Sequence, residues 1–188
     1  MKRLAIVAAL VLLSIVGTFG VYAVRHARQR ASERSETSGS AEYPFTSATG
    51  DFSATFPERP TESDETLSTP AGPRKAHAAI AAAGPDEGYS ILVADDLPHA
   101  DELPAARLER LFADVVRQSQ GTELARSNVR AGSTEGRELR VQQPARYVRL
   151  RLFVAEGHVY QVLVTHRVAP GDDAADDRFL QSFALRAR

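Results

Sequence analysis

The sequence predicts an α+β fold in which helices pack on an antiparallel sheet, preceded by one transmembrane helix. The first observation is the order of patterns after residue 48: strands, a helix, further strands, a second helix and a last short strand. The second is the alternation of apolar side chains within several of these strands, which is typical of sheets. The third is an uncharged apolar run near the start of the chain, long enough to cross a bilayer.

Composition excludes several classes of protein. The 188 residues contain no Cys, which excludes disulfide scaffolds, thiolate zinc sites, catalytic cysteines and lipid attachment to a cysteine. The 23 basic and 24 acidic side chains nearly cancel, so we expect no nucleic-acid partner. The length suffices for one domain with its own core once the apolar run is set aside.

The apolar run is Leu4–Val24, which carries no charged side chain. A helix of this length spans about 30 Å, the thickness of a bilayer core. Lys2 and Arg3 precede the run, as in an export signal, and cleavage after Ala23 is the alternative to a retained anchor. The run exceeds the apolar region of a cleaved signal, about 7–15 residues. We therefore expect residues 1–24 to form an uncleaved signal anchor.

Two features of the sequence favour opposite orientations in the membrane. Arginines are more numerous after the run than before it, and a positive-inside count would place the C-terminal domain in the cytoplasm. A short charged N-terminus followed directly by an apolar run is, however, the usual export architecture. We expect a single-pass protein with an extracytoplasmic domain, secreted if cleavage occurs. Residues 25–48, rich in Ser, Arg and Glu, predict a flexible tether before a domain at 49–188.

The first half of this domain predicts three strands. Asp51–Phe56 alternates between apolar and polar residues, and Pro57 ends it. The segment 58–73 is polar and contains several prolines, which predicts a loop. Lys75–Ala83 and Gly88–Ala94 then predict two strands joined by a turn.

One helix is predicted over Leu103–Ser119. Pro104 suits its first turn, and Gly121 follows its last. A single apolar face contains Leu108, Leu111, Phe112, Val115 and Val116. The opposite face is predicted to carry Arg107, Arg110, Asp114 and Arg117.

The second half predicts a sheet and a second helix. Three strands are expected near Gly136–Gln142, Ala145–Glu156 and His158–Arg167. Gly157 predicts a tight hairpin between the last two, while the Gly132–Gly136 stretch is expected to connect two strands. The final helix is expected to begin after a cap at Asp172 or Asp173 and to run to about Gln181.

Several short motifs together resemble the PsbP/Mog1-like domain family. The segment FSATFPERP resembles the opening F-x-x-x-F-P-x-x-P strand of these domains, and GREL, GHVYQVLV and FLQSF are also similar. The resemblance covers about Thr49 to Leu185. It implies an αβα sandwich around a central antiparallel sheet, behind a membrane anchor or signal. It also implies a protein that acts by binding, with no enzymatic centre, and it transfers no functional residues to this chain.

The most suggestive group of side chains lies on one predicted strand. Alternation places Tyr147, Arg149, Arg151 and Phe153 on the same face. Guanidinium groups bind carboxylates and phosphates, and an aromatic neighbour can stack on a ligand, so Tyr147, Arg149 and Arg151 are candidate ligand-binding residues. The alternative is an outward sheet face whose Arg stems cover apolar surface and whose charges pair with helix carboxylates.

Other candidate sites have structural explanations. Asp172, Asp173, Asp176 and Asp177 offer carboxylate oxygens to a hard cation, but charges in the first turn of a helix also offset its dipole. The five histidines show no metal-ligand spacing, and no nucleotide-binding or nucleophile motif is present. The sequence therefore predicts no catalytic residues, no metal site and no cofactor.

These observations favour a membrane-tethered, non-catalytic interaction domain. Its expected partners are the membrane, through residues 4–24, and another protein of the cell envelope. One alternative is a sensor that binds a small ligand or anion through Arg149 and Arg151. Another is a hydrolase, which requires His158 or His166 beside a carboxylate whose pKa is perturbed.

Overall fold

The computed structural model describes residues 42–49, 51–69, 72–84, 86–95, 103–118, 121–167 and 174–186. The predicted signal anchor, 1–24, and residues 25–41 of the predicted tether lie outside this part of the chain. Of the helices that the structure describes, none is long and apolar enough to span a bilayer.

The described residues form ten strands and two helices. In chain order they are β1 (Tyr43–Thr46), β2 (Phe52–Phe56), β3 (Thr61–Thr69), β4 (Gly72–Ala82), β5 (Glu87–Asp95), α1 (Pro104–Gln118), β6 (Thr122–Ala131), β7 (Thr134–Gln143), β8 (Arg146–Ala155), β9 (His158–His166), α2 (Ala174–Ser182) and β10 (Ala184–Leu185). One antiparallel sheet has the order β3-β4-β5-β9-β8-β7-β6, and a small sheet has the order β1-β2-β10. The α+β prediction is therefore confirmed.

Both faces of the large sheet are covered, because its central strands bury side chains on each side. Leu152 packs in one core with α1, whereas its neighbour Phe153 packs in another core with α2 and the small sheet. We call these two sides the α1 face and the α2 face. A helix on each face is the αβα arrangement that the family resemblance implied.

The α1 face has an almost entirely aliphatic core. It contains Leu108, Leu111, Phe112, Val115, Leu139, Val141, Val148, Leu150, Leu152, Val154 and Leu163. Each such side chain contributes about 1.5–3 kcal/mol on burial, so the predicted apolar stripe is what holds α1. One detail of that prediction is wrong, since Arg107 is only 7% exposed rather than on the polar face. It precedes Leu111 by one turn, at the margin of the apolar stripe.

Three strands were missed in the sequence, and all of them lie at sheet edges. The predicted loop 58–73 is wrong, since it contains β3 and the first residues of β4. The segment Tyr43–Thr46, assigned to the tether, pairs with β2 as strand β1. The third is β6, since a strand before the Gly132–Gly136 connection was expected but its residues were not identified; the connection itself is shorter, because β7 begins at Thr134. Edge strands are held mainly by backbone hydrogen bonds on one side, so their sequences need not alternate.

Two hairpin turns fix the register of the sheet that carries the site. Glu156 and Gly157 have φ angles of 50° and 77°, as a two-residue turn between β8 and β9 requires. This confirms the hairpin predicted at Gly157. Only Gly132 and Ser133 connect β6 to β7, and Gly132 has a φ of 60°. A positive φ at the first turn position is normal for glycine.

Candidate functional site

The three predicted ligand-binding residues lie on β8 and point to the α2 face. The alternation of these side chains was predicted correctly. Of the alternative interpretation, the outward orientation is wrong, whereas the pairing of Arg charges with helix carboxylates is observed between Arg149 and Asp177. Tyr147, Arg149 and Arg151 are only 4%, 3% and 9% exposed, respectively. Both helix α2 and the neighbouring strand β7 contribute to this burial, as the contacts of the two guanidinium groups make clear.

A single carboxylate on β7 holds both guanidinium groups. Register places Glu138 directly opposite Arg151, so the two side chains share one face. Arg149 Nε donates to Glu138 Oε1 at 2.8 Å, and Arg151 Nε donates to Oε2 at 2.6 Å. Arg140, on the same strand as Glu138, also donates to Oε1 at 3.2 Å. Both carboxylate oxygens therefore accept charge-assisted hydrogen bonds.

The same guanidinium groups connect the sheet to α2. Arg149 Nη1 lies 2.5 Å from Asp177 Oδ1, in the first turn of the helix. Arg151 Nη1 donates to the backbone carbonyl of Leu180 at 2.8 Å, near its end. We call the group of Glu138, Arg140, Arg149, Arg151 and Asp177 the arginine cluster. It joins β7, β8 and α2 through charge-assisted hydrogen bonds and the ion pair of Arg149 with Asp177.

The charges in this cluster stabilise one another despite their burial. Burial raises the pKa of the Glu138 carboxyl, but hydrogen bonds from Arg149 and Arg151 outweigh it and the pKa lies below its ordinary value. Burial also lowers the pKa of Arg149, yet Glu138 and Asp177 together raise it above its ordinary value. The carboxylate and the guanidinium are consequently both ionised around neutral pH.

A second buried polar group lies beside the arginine cluster. His166 Nε2 is 2.8 Å from Asp176 Oδ2, and the Tyr89 hydroxyl donates to Asp176 Oδ1 at 3.1 Å. The ring of Tyr147 lies beside that of His166, with 6.2 Å between their centroids. Burial and the Asp176 carboxylate raise the pKa of Tyr89 well above its ordinary value. Tyr89 is therefore a protonated donor to Asp176, not a base.

The two predicted histidines have different surroundings. His166 is buried beside Asp176. The hydrolase hypothesis required a carboxylate beside one of these histidines but did not identify Asp176. His158 is more exposed, and its Nδ1 lies 3.6 Å from Asp95 Oδ1. Within the described residues, no three His, Asp or Glu side chains are arranged so that they could hold a metal ion. Of the four candidate aspartates, Asp172 and Asp173 lie outside the described residues.

A further charged group, which was not predicted from the sequence, lies at the β3 edge. His77, on β4, lies between two carboxylates of β3: Nδ1 is 2.8 Å from Asp64 Oδ1, and Nε2 is 2.8 Å from Glu62 Oε2. Glu62 also accepts a hydrogen bond from the backbone N–H of Ala48. Burial lowers the pKa of His77, but its two carboxylate partners outweigh this and raise the pKa above 6.5. We call these three side chains the histidine cluster.

Comparison with known proteins identifies the fold. No family model and no curated protein matches the sequence. The structure is similar to cyanobacterial PsbP (CyanoP) from Synechocystis sp. PCC 6803, with a TM-score of 0.54 and 12% identity over 81% of this chain and 98% of that one. The fold is PsbP-like. Protein PA94 of Pseudomonas aeruginosa, of unknown function, gives a TM-score of 0.48 at 15% identity over 78% of this chain and 99% of that one.

Proposed function

We propose that this chain is a non-catalytic interaction domain, held at a membrane by residues 4–24, that binds another protein of the cell envelope. The observation that carries the proposal is that the buried arginines and the buried histidine bind other groups of this protein. Arg149 and Arg151 bind Glu138, Asp177 and a backbone carbonyl within the fold, and His166 binds Asp176. Side chains with these contacts join elements of the fold. We therefore assign recognition of the partner to the surface of the domain.

Binding of a ligand by Tyr147, Arg149 and Arg151 remains a prediction. It requires that the ligand displace a carboxylate already bound to the arginines. An anion would have to replace Glu138 or Asp177 at the guanidinium groups. Glu138 is buried and binds both arginines, whereas the Asp177 side chain is 44% exposed. An anion sensor would therefore exchange Asp177 for its ligand, and the interaction domain does not need that exchange.

The membrane attachment is supported by the sequence of the apolar run. Leu4–Val24 has the length and the lack of charge of a bilayer-spanning helix, and Lys2 and Arg3 precede it as in an exported protein. Retention of this run would keep the domain near other envelope proteins. Cleavage after Ala23 would instead yield a secreted domain with the same recognition surface.

Cross-linking in intact cells tests this function directly. The full chain, tagged at its C-terminus, would be cross-linked from the outside and purified from detergent-solubilised membranes. We expect the same envelope protein to be cross-linked in every preparation. Once purified, that protein should bind the full chain in detergent. Protease added to intact cells should also digest the domain. Failure to recover a partner, together with substrate turnover by the purified chain, would contradict the proposal.

A further inference from the structure

We propose that the outer edge of β6 binds an extended acidic segment of the partner protein as an additional strand of the large sheet. This inference rests on the proposed interaction function and specifies its surface and the chemistry of the partner. Addition of a strand to an exposed sheet edge is a common mode of peptide recognition, in which backbone hydrogen bonds supply affinity and side chains supply selectivity.

The exposure of β6 is the first observation. It is the last strand in the order of the large sheet, and among the described strands only β7 pairs with it. Every side chain from Thr122 to Asn128 is exposed, including Leu124 at 54%. Both faces of this stretch are therefore exposed, and no helix within the described residues buries its side chains.

The register of the β6–β7 hairpin identifies the backbone groups that point outward. A two-residue turn makes its flanking residues, Ala131 and Thr134, a hydrogen-bonded pair. Hydrogen-bonded and non-bonded pairs then alternate along an antiparallel ladder. Arg126, Asn128 and Arg130 fall in the non-bonded pairs, so their N–H and C=O groups point away from β7. They offer donors and acceptors at the two-residue spacing that an added strand matches.

The side chains of β6 define the chemistry of the incoming segment. Arg126 lies over the ring of Phe112 in α1, 5.0 Å from its centroid, which places Arg126, Asn128 and Arg130 on the α1 face. Two arginines four residues apart match carboxylates four residues apart on an adjacent strand. On the other face, Ala125 and Ser127 are small and leave space for β-branched or apolar side chains of the partner.

The charges already paired with these arginines are weak competitors. Arg126 binds Glu123 and Arg130 binds Glu135, with side chains between 36% and 69% exposed in all four cases. Exposed pairs joined by one contact, such as Arg130 and Glu135, contribute little to stability, so an incoming carboxylate can displace Glu135 at small cost. At Arg126 an incoming carboxylate competes with two hydrogen bonds to Glu123.

The opposite edge of the sheet has features that disfavour the same partner. Strand β3 lies between Pro60 and Pro70 in the sequence and carries Glu62, Asp64 and Glu65. Prolines and like charges are established means of protecting sheet edges. An acidic segment is thus repelled at β3 and attracted at β6. The bulge between Glu123 and Ala125 limits the regular binding edge to Ala125–Ala131.

A proline substitution on the outward side tests the edge with little effect on the fold. Asn128→Pro removes an outward N–H but no hydrogen bond to β7, whereas Asn128→Ala retains that N–H and is the matched control. The probe is a fluorescein-labelled peptide with the sequence TEVTVET, and binding to the full chain in detergent is measured by fluorescence anisotropy. Its acidic residues are four apart, and a peptide with lysine at both positions is the control.

We expect the acidic peptide to bind the wild-type chain and Asn128→Ala equally, and Asn128→Pro at least about tenfold more weakly. Arg126→Glu with Arg130→Glu should weaken binding to a similar extent, and this variant decides the matter if thermal unfolding finds Asn128→Pro misfolded. Equal affinity of the charge-reversed and wild-type chains, tight binding of the lysine peptide, or no binding to the wild-type chain would overturn the inference. If Asn128→Pro is still cross-linked to the partner, binding at the β6 edge is refuted, whereas the proposed interaction function is not.

Discussion

The arginine cluster and the histidine cluster use the same arrangement in different surroundings. In the first, Glu138 lies between two guanidinium groups and its side chain is 5% exposed. In the second, His77 lies between two carboxylates, of which Asp64 is 90% exposed. In the buried cluster, loss of one partner strongly lowers the free energy of unfolding, because water cannot solvate the charges that remain. At the sheet edge, water replaces a lost partner, so the same geometry contributes much less.

The comparison also separates what each cluster does for the fold. The arginine cluster connects α2 to the sheet through Asp177 and the Leu180 carbonyl, beside the apolar packing of Phe179 and Leu180. The histidine cluster joins the edge strand β3 to β4 and, through the Ala48 N–H, to the turn after β1. Three predictions test this difference, and a fourth adds an exposed ion pair for comparison. They are ordered from the largest expected effect to the smallest.

The largest effect is expected from Glu138→Gln. This substitution preserves the shape of the side chain but leaves two buried guanidinium groups without their shared carboxylate. Loss of one partner from a buried ion pair costs about 3–5 kcal/mol, and we expect a decrease of that size in the free energy of unfolding. Urea denaturation measures it, with Glu123→Gln as the exposed control. A decrease below about 1 kcal/mol would contradict the structural role of the cluster.

A smaller effect is expected from Asp177→Asn at the solvent-exposed rim of the same cluster. Arg149 retains Glu138, and water can approach the position that Asp177 leaves. We expect a loss of about 1 kcal/mol in the free energy of unfolding, by the same denaturation measurement. A loss as large as that of Glu138→Gln would mean that burial does not distinguish the centre of the cluster from its rim.

The histidine cluster should make stability depend on pH. The pKa of His77 is raised above 6.5 in the folded state, so its contribution is complete below the unfolded value and is lost as pH rises through the folded pKa. The difference in unfolding free energy between wild type and His77→Gln should therefore be larger at pH 5.5 than at pH 9. An NMR titration of the His77 ring locates the folded pKa. A difference that grows with pH would contradict the arrangement.

The smallest effect is expected at the exposed pair of Arg130 and Glu135. Their side chains are 69% and 61% exposed, and 3.1 Å separates Arg130 Nη2 from Glu135 Oε1. A double-mutant cycle with Arg130→Gln and Glu135→Gln should give a coupling within about 0.5 kcal/mol of zero. Stronger coupling would mean that β6 is held by its own charges and that an incoming acidic strand could not displace Glu135.

The sequence predicted the parts of the fold that bury side chains. Alternation in β8 and the single apolar face of α1 are imposed by cores that water cannot enter, so their patterns are visible in the chain. The edge strands β1, β3 and β6 depend on backbone pairing, which leaves little trace in side-chain order. Arg107 was misplaced because a helical wheel does not indicate how far a long stem reaches into the core.

The candidate site was predictable only within a single strand. Alternation placed Arg149 and Arg151 on the same face correctly, but their partner Glu138 depends on the register between β7 and β8. Likewise, the pair of His166 and Asp176 depends on how α2 returns to the sheet. Such contacts between elements follow from tertiary packing, which local patterns do not specify.

We propose that this protein binds a partner through its surface, while the arginine cluster stabilises the fold. The most direct test is the yield of cross-linked envelope partner from intact cells, compared among wild type, Asp177→Asn and Asn128→Pro. We expect the same partner from wild type and from Asp177→Asn in equal yield, and much less from Asn128→Pro. Loss of the partner in Asp177→Asn with retention in Asn128→Pro would place recognition at the arginine cluster and contradict both its purely structural role and binding at the β6 edge.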